Sequence, residues 1–265
     1  MDQSQTTAAE PLVHSRLEDG VLTLTLNRPQ QYNALSWAML EALREAVRSA
    51  QAPDVRVVVL AGAGKAFCAG HDLKEMRANR TLDFQRRLFA LCSEVMLSLI
   101  RLPVPVIARV HGIATAAGCQ LVGMCDLAVA SSEARFAVSG INVGLFCSTP
   151  SVALSRNMGR KEAFEMLVTG EFIDAEEAHR RGLVNRVVAP EALDEEVERL
   201  AAAIKAKSPV AVRMGKELFY RQLEMGIEAA YQLAGEVMAC NMMAEDAAEG
   251  IDAFIEKRPP QWRGC

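Results

Sequence analysis

Two short stretches carry the residue types best suited to chemistry. One is AFCAGHDL at residues 66–73, the other HGIATAAGCQL at residues 111–121. Each follows a run of β-branched residues and leads into a segment with helical character. A strand that breaks through small residues into a helix leaves backbone N–H groups unpaired at the turn. Two such turns facing each other would grip one oxygen that gains negative charge. That device points to an enzyme acting on a carbonyl or thioester. Few acids or bases surround the two turns.

Other motifs fail on inspection. Gly62-Ala63-Gly64-Lys65 follows a strand-like run, but a phosphate-cradling loop needs Gly, four residues, then Gly-Lys-Ser/Thr. Here Val59 stands at the first glycine position and Ala66 follows the lysine, while Phe67 breaks the dinucleotide pattern. Gly140-Ile141-Asn142-Val143-Gly144 has the spacing of a nucleophile elbow with asparagine at the nucleophile position. The seven cysteines form no C-x-x-C pair, and the four histidines are scattered, so no metal site is expected. Cys92, Cys119 and Cys125 sit among apolar neighbours and read as small core residues.

The elements that must position the two turns follow from periodicity. Residues 21–26 alternate strictly and form a strand, with residues 12–17 as its hairpin partner across Asp19-Gly20. Ser36 caps a helix from Trp37 to about Ala50, whose apolar face is Met39, Leu40, Leu43 and Val47. Residues 55–60 and 106–110 are apolar strands of the kind buried on both faces. A polar helical segment starts near Asp72, and a longer helix covers about 84–101, ended by Pro103 and Pro105. A helix from about 116 to 125 follows His111-Gly112. Short strands are expected at 127–130 and 134–138, helices at 150–158 and 160–168. Asp174 caps a helix over 175–181 with Gly182 at its end, and a last strand covers 184–188. Strands separated by helices favour parallel pairing. After Pro190 the chain reads as almost wholly helical.

Length and composition set the frame. The chain has 265 residues, 51% of them hydrophobic and 23% charged, enough for one large α/β domain with a helical appendage. A net charge of -4 with no basic stripe argues against a nucleic-acid partner. No apolar run reaches membrane-spanning length. The first ten residues read as a disordered polar tail without signal-peptide features. Unpaired cysteines favour a cytoplasmic location.

The motifs together resemble the crotonase superfamily, the enoyl-CoA hydratases and isomerases. LNRPQQYNALS at 26–36 resembles its N-terminal signature. KAFCAGHDLKEM at 65–76 and VHGIATAAGCQLVGMCDLAVAS at 110–131 resemble its two oxyanion-hole loops, and FIEKRPPQW at 254–262 its C-terminal end. The resemblance covers nearly the whole chain. ATAAGCQL and GINVGLFCSTP are similar to the subgroup of enoyl-CoA hydratase domain-containing protein 3. The resemblance implies an α/β fold, a spiral of repeated ββα units over residues 11–189. It also implies a C-terminal helical trimerisation region over 190–265, hence a homotrimer or a dimer of trimers. The implied substrate is an acyl-CoA thioester, coenzyme A being part of that substrate and no separate cofactor being needed. Position by position, Ala69 and Ala117 match the two oxyanion-hole residues. Ala34, Ala66, Gly70, His71, Asp72 and Leu73 match the path of the CoA arm, and Lys257 matches a lysine near its phosphates.

The sequence departs from the family where hydratases place two glutamates. The matching positions are Gln120 and Gly140, and no Asp or Glu occurs anywhere in residues 135–161. Glutamine does not titrate in the working range and glycine has no side chain. Each missing acid or base removes about 10²–10⁴-fold in rate. The expectation is an acyl-CoA enzyme that stabilises an enolate-like intermediate but hydrates poorly. A non-catalytic acyl-CoA binder and a thioester hydrolase using His71, or a group near Cys147 and Ser148, are the alternatives.

Overall fold

A computed structural model describes residues 10–265, so the polar tail expected at residues 1–10 lies outside the described residues except for Glu10. The chain opens with a hairpin, β1 (Val13–Glu18) and β2 (Val21–Leu26), then α1 (Trp37–Ser49). Next come β3 (Val57–Gly62), β4 (Ala66–Cys68), α2 (Leu73–Ala78) and α3 (Leu82–Arg101). A second pass adds β5 (Val106–Val110), β6 (Ile113–Thr115) and α4 (Ala117–Met124). A third adds β7 (Leu127–Ser131), β8 (Arg135–Ala137), α5 (Ser148–Asn157) and α6 (Arg160–Thr169). β9 (Ile173–Asp174), α7 (Ala175–Arg180) and β10 (Arg186–Val188) close the sheets. Four helices end the chain: α8 (Leu193–Lys205), α9 (Pro209–Gln222), α10 (Ile227–Met242) and α11 (Glu245–Glu256).

Two sheets result. The larger has the order β1-β2-β3-β5-β7-β10, parallel except for the β1–β2 hairpin. The smaller has the order β4-β6-β8-β9, with only β8–β9 antiparallel. Three times the chain leaves the large sheet, enters the small one and continues into helix. This is the crotonase-like ββα spiral. Of the small sheet only β8 was legible in sequence, expected at 134–138, because β4 and β6 are three residues long and carry no alternation to read.

Local signals place the larger elements. The Ser36 hydroxyl accepts the Met39 N–H, and Met39, Leu40, Leu43 and Val47 are all buried. A cap of this kind contributes about 1 kcal/mol. Asp174 caps α7 through the Glu177 N–H at 2.8 Å. The division expected at residue 190 follows the change in secondary structure but not the packing. Leu193, Val197 and Ala201 of α8 cover Val57, Val59, Ile107 and Val129 on the outer face of the large sheet. α9 is tied to the core by charge. Lys216 Nζ donates to Asp126 at 2.6 Å and to the Leu99 and Val104 carbonyls, and Tyr220 donates to the other Asp126 oxygen.

Candidate active site

Both turns spring from the small sheet. β4 ends at Cys68, and the following residues run beside the segment 32–35 in a parallel bridge, Leu35 with His71. The Ala69 N–H donates to the Tyr32 carbonyl at 3.0 Å, and the Asp72 N–H to Leu35 at 3.2 Å. The Gly70 N–H faces the Cys68 sulfur. With the Ala69 and Asp72 N–H groups bonded and the Gly70 N–H facing sulfur, the His71 N–H is left with no described acceptor. The expectation that Ala69 supplies a free donor is therefore corrected: its N–H is consumed by the chain itself, and the free group lies two residues on.

The second turn comes off β6. Ala116 takes φ 51° and ψ −119°, a strained conformation for a residue with a Cβ. Its own N–H is bound to Ala137 at 2.9 Å. α4 begins at Ala117 with no side-chain cap, so the Ala117 N–H stays unpaired at the positive end of the helix. The turns touch. Gly70 has φ +88°, and a Cβ there would lie 2.8 Å from the Ala116 Cβ and 3.2 Å from the Ala117 nitrogen. Gly118 is pressed against the Cys68 carbonyl, where a Cβ would come to 2.0 Å.

Asn33, which sequence reasoning left without a role, holds the first turn. It is fully buried, accepts the Arg28 N–H, and donates to the carbonyls of Ala63, Ala66 and Phe67. His111 supports the second turn, its Nε2 lying 2.9 Å from the Gly64 carbonyl oxygen.

The turns open on a cavity of about 450 Å³. Ala69, His71, Leu73, Ala117 and Gly140 reach its wall, brought together from four elements and turns. Met76, Phe89, Val143, Leu145 and Phe146 make the wall largely apolar. Phe89 and the segment 143–146 were also missed by sequence reasoning. Ser139 lines the wall with its hydroxyl 2.8 Å from Thr115.

The remaining expected site residues are elsewhere. Ala66 is buried inside β4, and Ala34 offers its carbonyl to Arg28. Asp72 caps α2 through the Lys74 and Glu75 N–H groups and pairs with Arg28 at 2.8 Å. Burial raises its pKa, but Arg28 and those donors outweigh it and hold the carboxyl below its ordinary value. Lys257 is exposed at the C-terminal cap of α11 and does not line the cavity.

The two positions matched to glutamates differ. Gln120, one helical turn past Ala117, is 4% exposed, and its Oε1 has no partner, yet it does not reach the cavity wall. Gly140 does reach it, but a Cβ there would lie 2.7 Å from both the Cys147 sulfur and the Leu145 carbonyl. A carboxylate does not fit at residue 140 without moving residues 145–147.

This geometry defines a class, an α/β protein with two unpaired backbone N–H groups on residues lining a largely apolar cavity. The enoyl-CoA hydratase/isomerase family model matches residues 16–265, and the chain belongs to that family. It is 48% identical over 256 residues to rat enoyl-CoA hydratase domain-containing protein 3, mitochondrial, covering 96% of this chain and 85% of that protein. Among solved structures, an enoyl-CoA hydratase from Mycobacterium smegmatis matches with a TM-score of 0.94 at 67% identity, covering 96% of this chain and 99% of that one. Human enoyl-CoA hydratase domain-containing protein 3 matches with a TM-score of 0.92 at 45% identity, covering 95% and 100%.

The relatives correct one expectation. The rat and human proteins are named mitochondrial, which overturns the cytoplasmic location inferred from unpaired cysteines. The seven thiols are indeed free, five of them buried. Free thiols report a reducing environment or simple burial, and neither distinguishes one compartment from another.

Proposed function

We propose that this chain binds an acyl-coenzyme A thioester with its carbonyl oxygen between the His71 and Ala117 N–H groups. The acyl chain lies among Phe89, Val143, Leu145 and Phe146, and an enolate-like intermediate is stabilised at the paired donors. The observation that carries this reading is that two residues with unpaired N–H groups, from turns in contact with each other, line one largely apolar cavity. A donor of this kind is worth about 10²–10³-fold in rate. Coenzyme A enters as part of the substrate, with Leu73 beside the thioester end and Lys257 toward the phosphates.

Ordinary hydration of crotonyl-CoA is expected to be weak, because Gln120 and Gly140 supply no titrating group. Turnover at rates typical of enzymes, about 10–10³ per second, would refute this part. A mass-spectrometric screen against a panel of acyl-CoA thioesters identifies the reaction: a shifted double bond supports the enolate reading, and release of free CoA indicates hydrolysis instead. Binding without turnover across the panel would make the chain an acyl-CoA binder.

Self-association into a trimer or a dimer of trimers is proposed through the C-terminal helices. α10 buries none of its residues, and Ile227, Tyr231, Met238, Phe254 and Ile255 of α10 and α11 are each at least 66% exposed. Surface of this kind marks an interaction face. A monomer in sedimentation at micromolar concentration would rule the assembly out.

A further inference from the structure

Two side chains on the cavity wall can titrate, His71 and Cys147. Burial pushes the Cys147 thiol up, and its sulfur packs toward the Val138 carbonyl. The imidazole of His71 is the group that remains.

That ring is fixed in place and left without partners. It packs edge-on against Phe89, with centroids 5.4 Å apart and planes at 85°. Both ring nitrogens are buried, and neither makes a hydrogen bond of good geometry, the Leu35 backbone being the one polar group near enough to act on the ring. A neutral imidazole carries one donor and one acceptor, and buried groups of this kind are almost always satisfied by protein, water or ligand. The main-chain N–H of the same residue belongs to the proposed anion grip. The ring is thereby tethered one side chain's length from the thioester.

The surroundings favour the base form. α3 presents Phe89 to the ring, α2 presents Leu73 and Met76 to the same cavity, and Cys147 lies on its wall. Asp72, next along the chain, is engaged by Arg28 and the start of α2. Burial lowers the pKa of the ring from its ordinary 6.5, opposed by the Leu35 backbone, and no charged side chain contributes.

We propose that the His71 imidazole is the proton-transfer group of this site, acting on acyl-CoA thioesters that carry a hydrogen on the carbon next to the carbonyl. The inference rests on the acyl-thioester reading above. The α C–H bond breaks, and its proton passes to the basic ring nitrogen. The electron pair moves into the carbonyl to give an enolate whose oxygen sits between the His71 and Ala117 N–H groups. Return of the proton to the same carbon regenerates the substrate. Return to the γ carbon of a β,γ-unsaturated chain moves the double bond. Neither route needs an oxidant or a second reactant.

The test is hydrogen exchange at the α carbon of hexanoyl-CoA in D₂O, followed by NMR, with binding measured separately by calorimetry. The wild-type protein binds hexanoyl-CoA and exchanges its α protons, and the rate falls only on the acid side of the ring's ordinary 6.5, because burial lowers the pH at which the ring takes up a proton. His71→Gln keeps the main-chain donor, so binding is retained while exchange drops by about 10²–10⁴-fold. The acid limb of the pH profile disappears with it. His71→Ala is slow as well and recovers with added imidazole, which a merely structural role would not produce. Wild-type binding without exchange overturns the proposal, as does His71→Gln exchange within about tenfold of wild type. If the wild type binds no member of an acyl-CoA panel, the acyl-thioester reading itself fails and takes this inference with it.

Discussion

The turn at Gly70-His71 and the turn at Ala116-Ala117 each leave one N–H unpaired, by different means. The first uses a glycine at φ +88° and is laid along residues 32–35, with Asn33 holding the strand behind it. The second uses an alanine at φ 51°, held by one backbone bond to Ala137 and by contact with its counterpart. The missing Cβ of Gly70 is what makes room for the methyl of Ala116. One glycine therefore serves both turns, and strain is tolerated on the side that the other turn supports. The side chains delivered also differ: a methyl from Ala117, an imidazole from His71. The same backbone device carries a side chain that cannot titrate at one turn and one that can at the other.

The largest expected effect tests whether the second turn is purely a backbone donor. Ala117→Pro removes the N–H and should lower turnover or α-proton exchange by about 10²–10³-fold while acyl-CoA binding persists. Unchanged turnover in a folded variant, checked by circular dichroism, would break the equivalence of the two donors. The next effect isolates the first turn. Asn33→Ala leaves the carbonyls of Ala63, Ala66 and Phe67 without their buried donor and should cost about 2–4 kcal/mol in denaturant unfolding. A loss below about 0.5 kcal/mol would show that the turn holds itself.

Gly70→Ala should destabilise by about 1–3 kcal/mol, since it adds a Cβ at positive φ and against Ala116. Much of that loss should be recovered in the Ala116→Gly background, which a double-mutant cycle measures directly. Purely additive values would mean that the turns do not share the contact. The smallest effect concerns the ring. Above about pH 6.5, His71 is neutral in both folded and unfolded chains and adds no pH dependence. As pH falls below that value, the unfolded chain takes up a proton that the buried ring resists. Stability should then decline until the lowered folded pKa is reached. Thermal melts at pH 7.5 and 5.5 should show this decline reduced in His71→Gln.

Much of the scaffold was legible because its signals are local. The Ser36 cap, the buried stripe of α1 and the apolar strands β3 and β5 each follow from residues a few positions apart. β3 begins at Val57 rather than 55, because the Val55 N–H closes a turn onto the Ala52 carbonyl. Of the small sheet only β8 was read; β4 and β6 were hidden, since strands so short acquire their pairing from neighbours distant in sequence. α8 read as part of an appendage, yet it covers the sheet, because helical periodicity does not say which surface the apolar stripe will meet.

The sequence by itself determined the family, the existence of two small-residue turns and the absence of any Asp or Glu from residues 135–161. These are matters of residue identity and order. Only the tertiary structure decided which N–H groups are free. The Ala69 donor is taken by Tyr32, a residue 37 positions earlier in the chain, and the His71 donor is not. It also decided that residue 140 has no room for a side chain and that an imidazole lies unpartnered on the cavity wall. An unpaired group is defined by what fails to reach it, and that depends on where the rest of the chain packs.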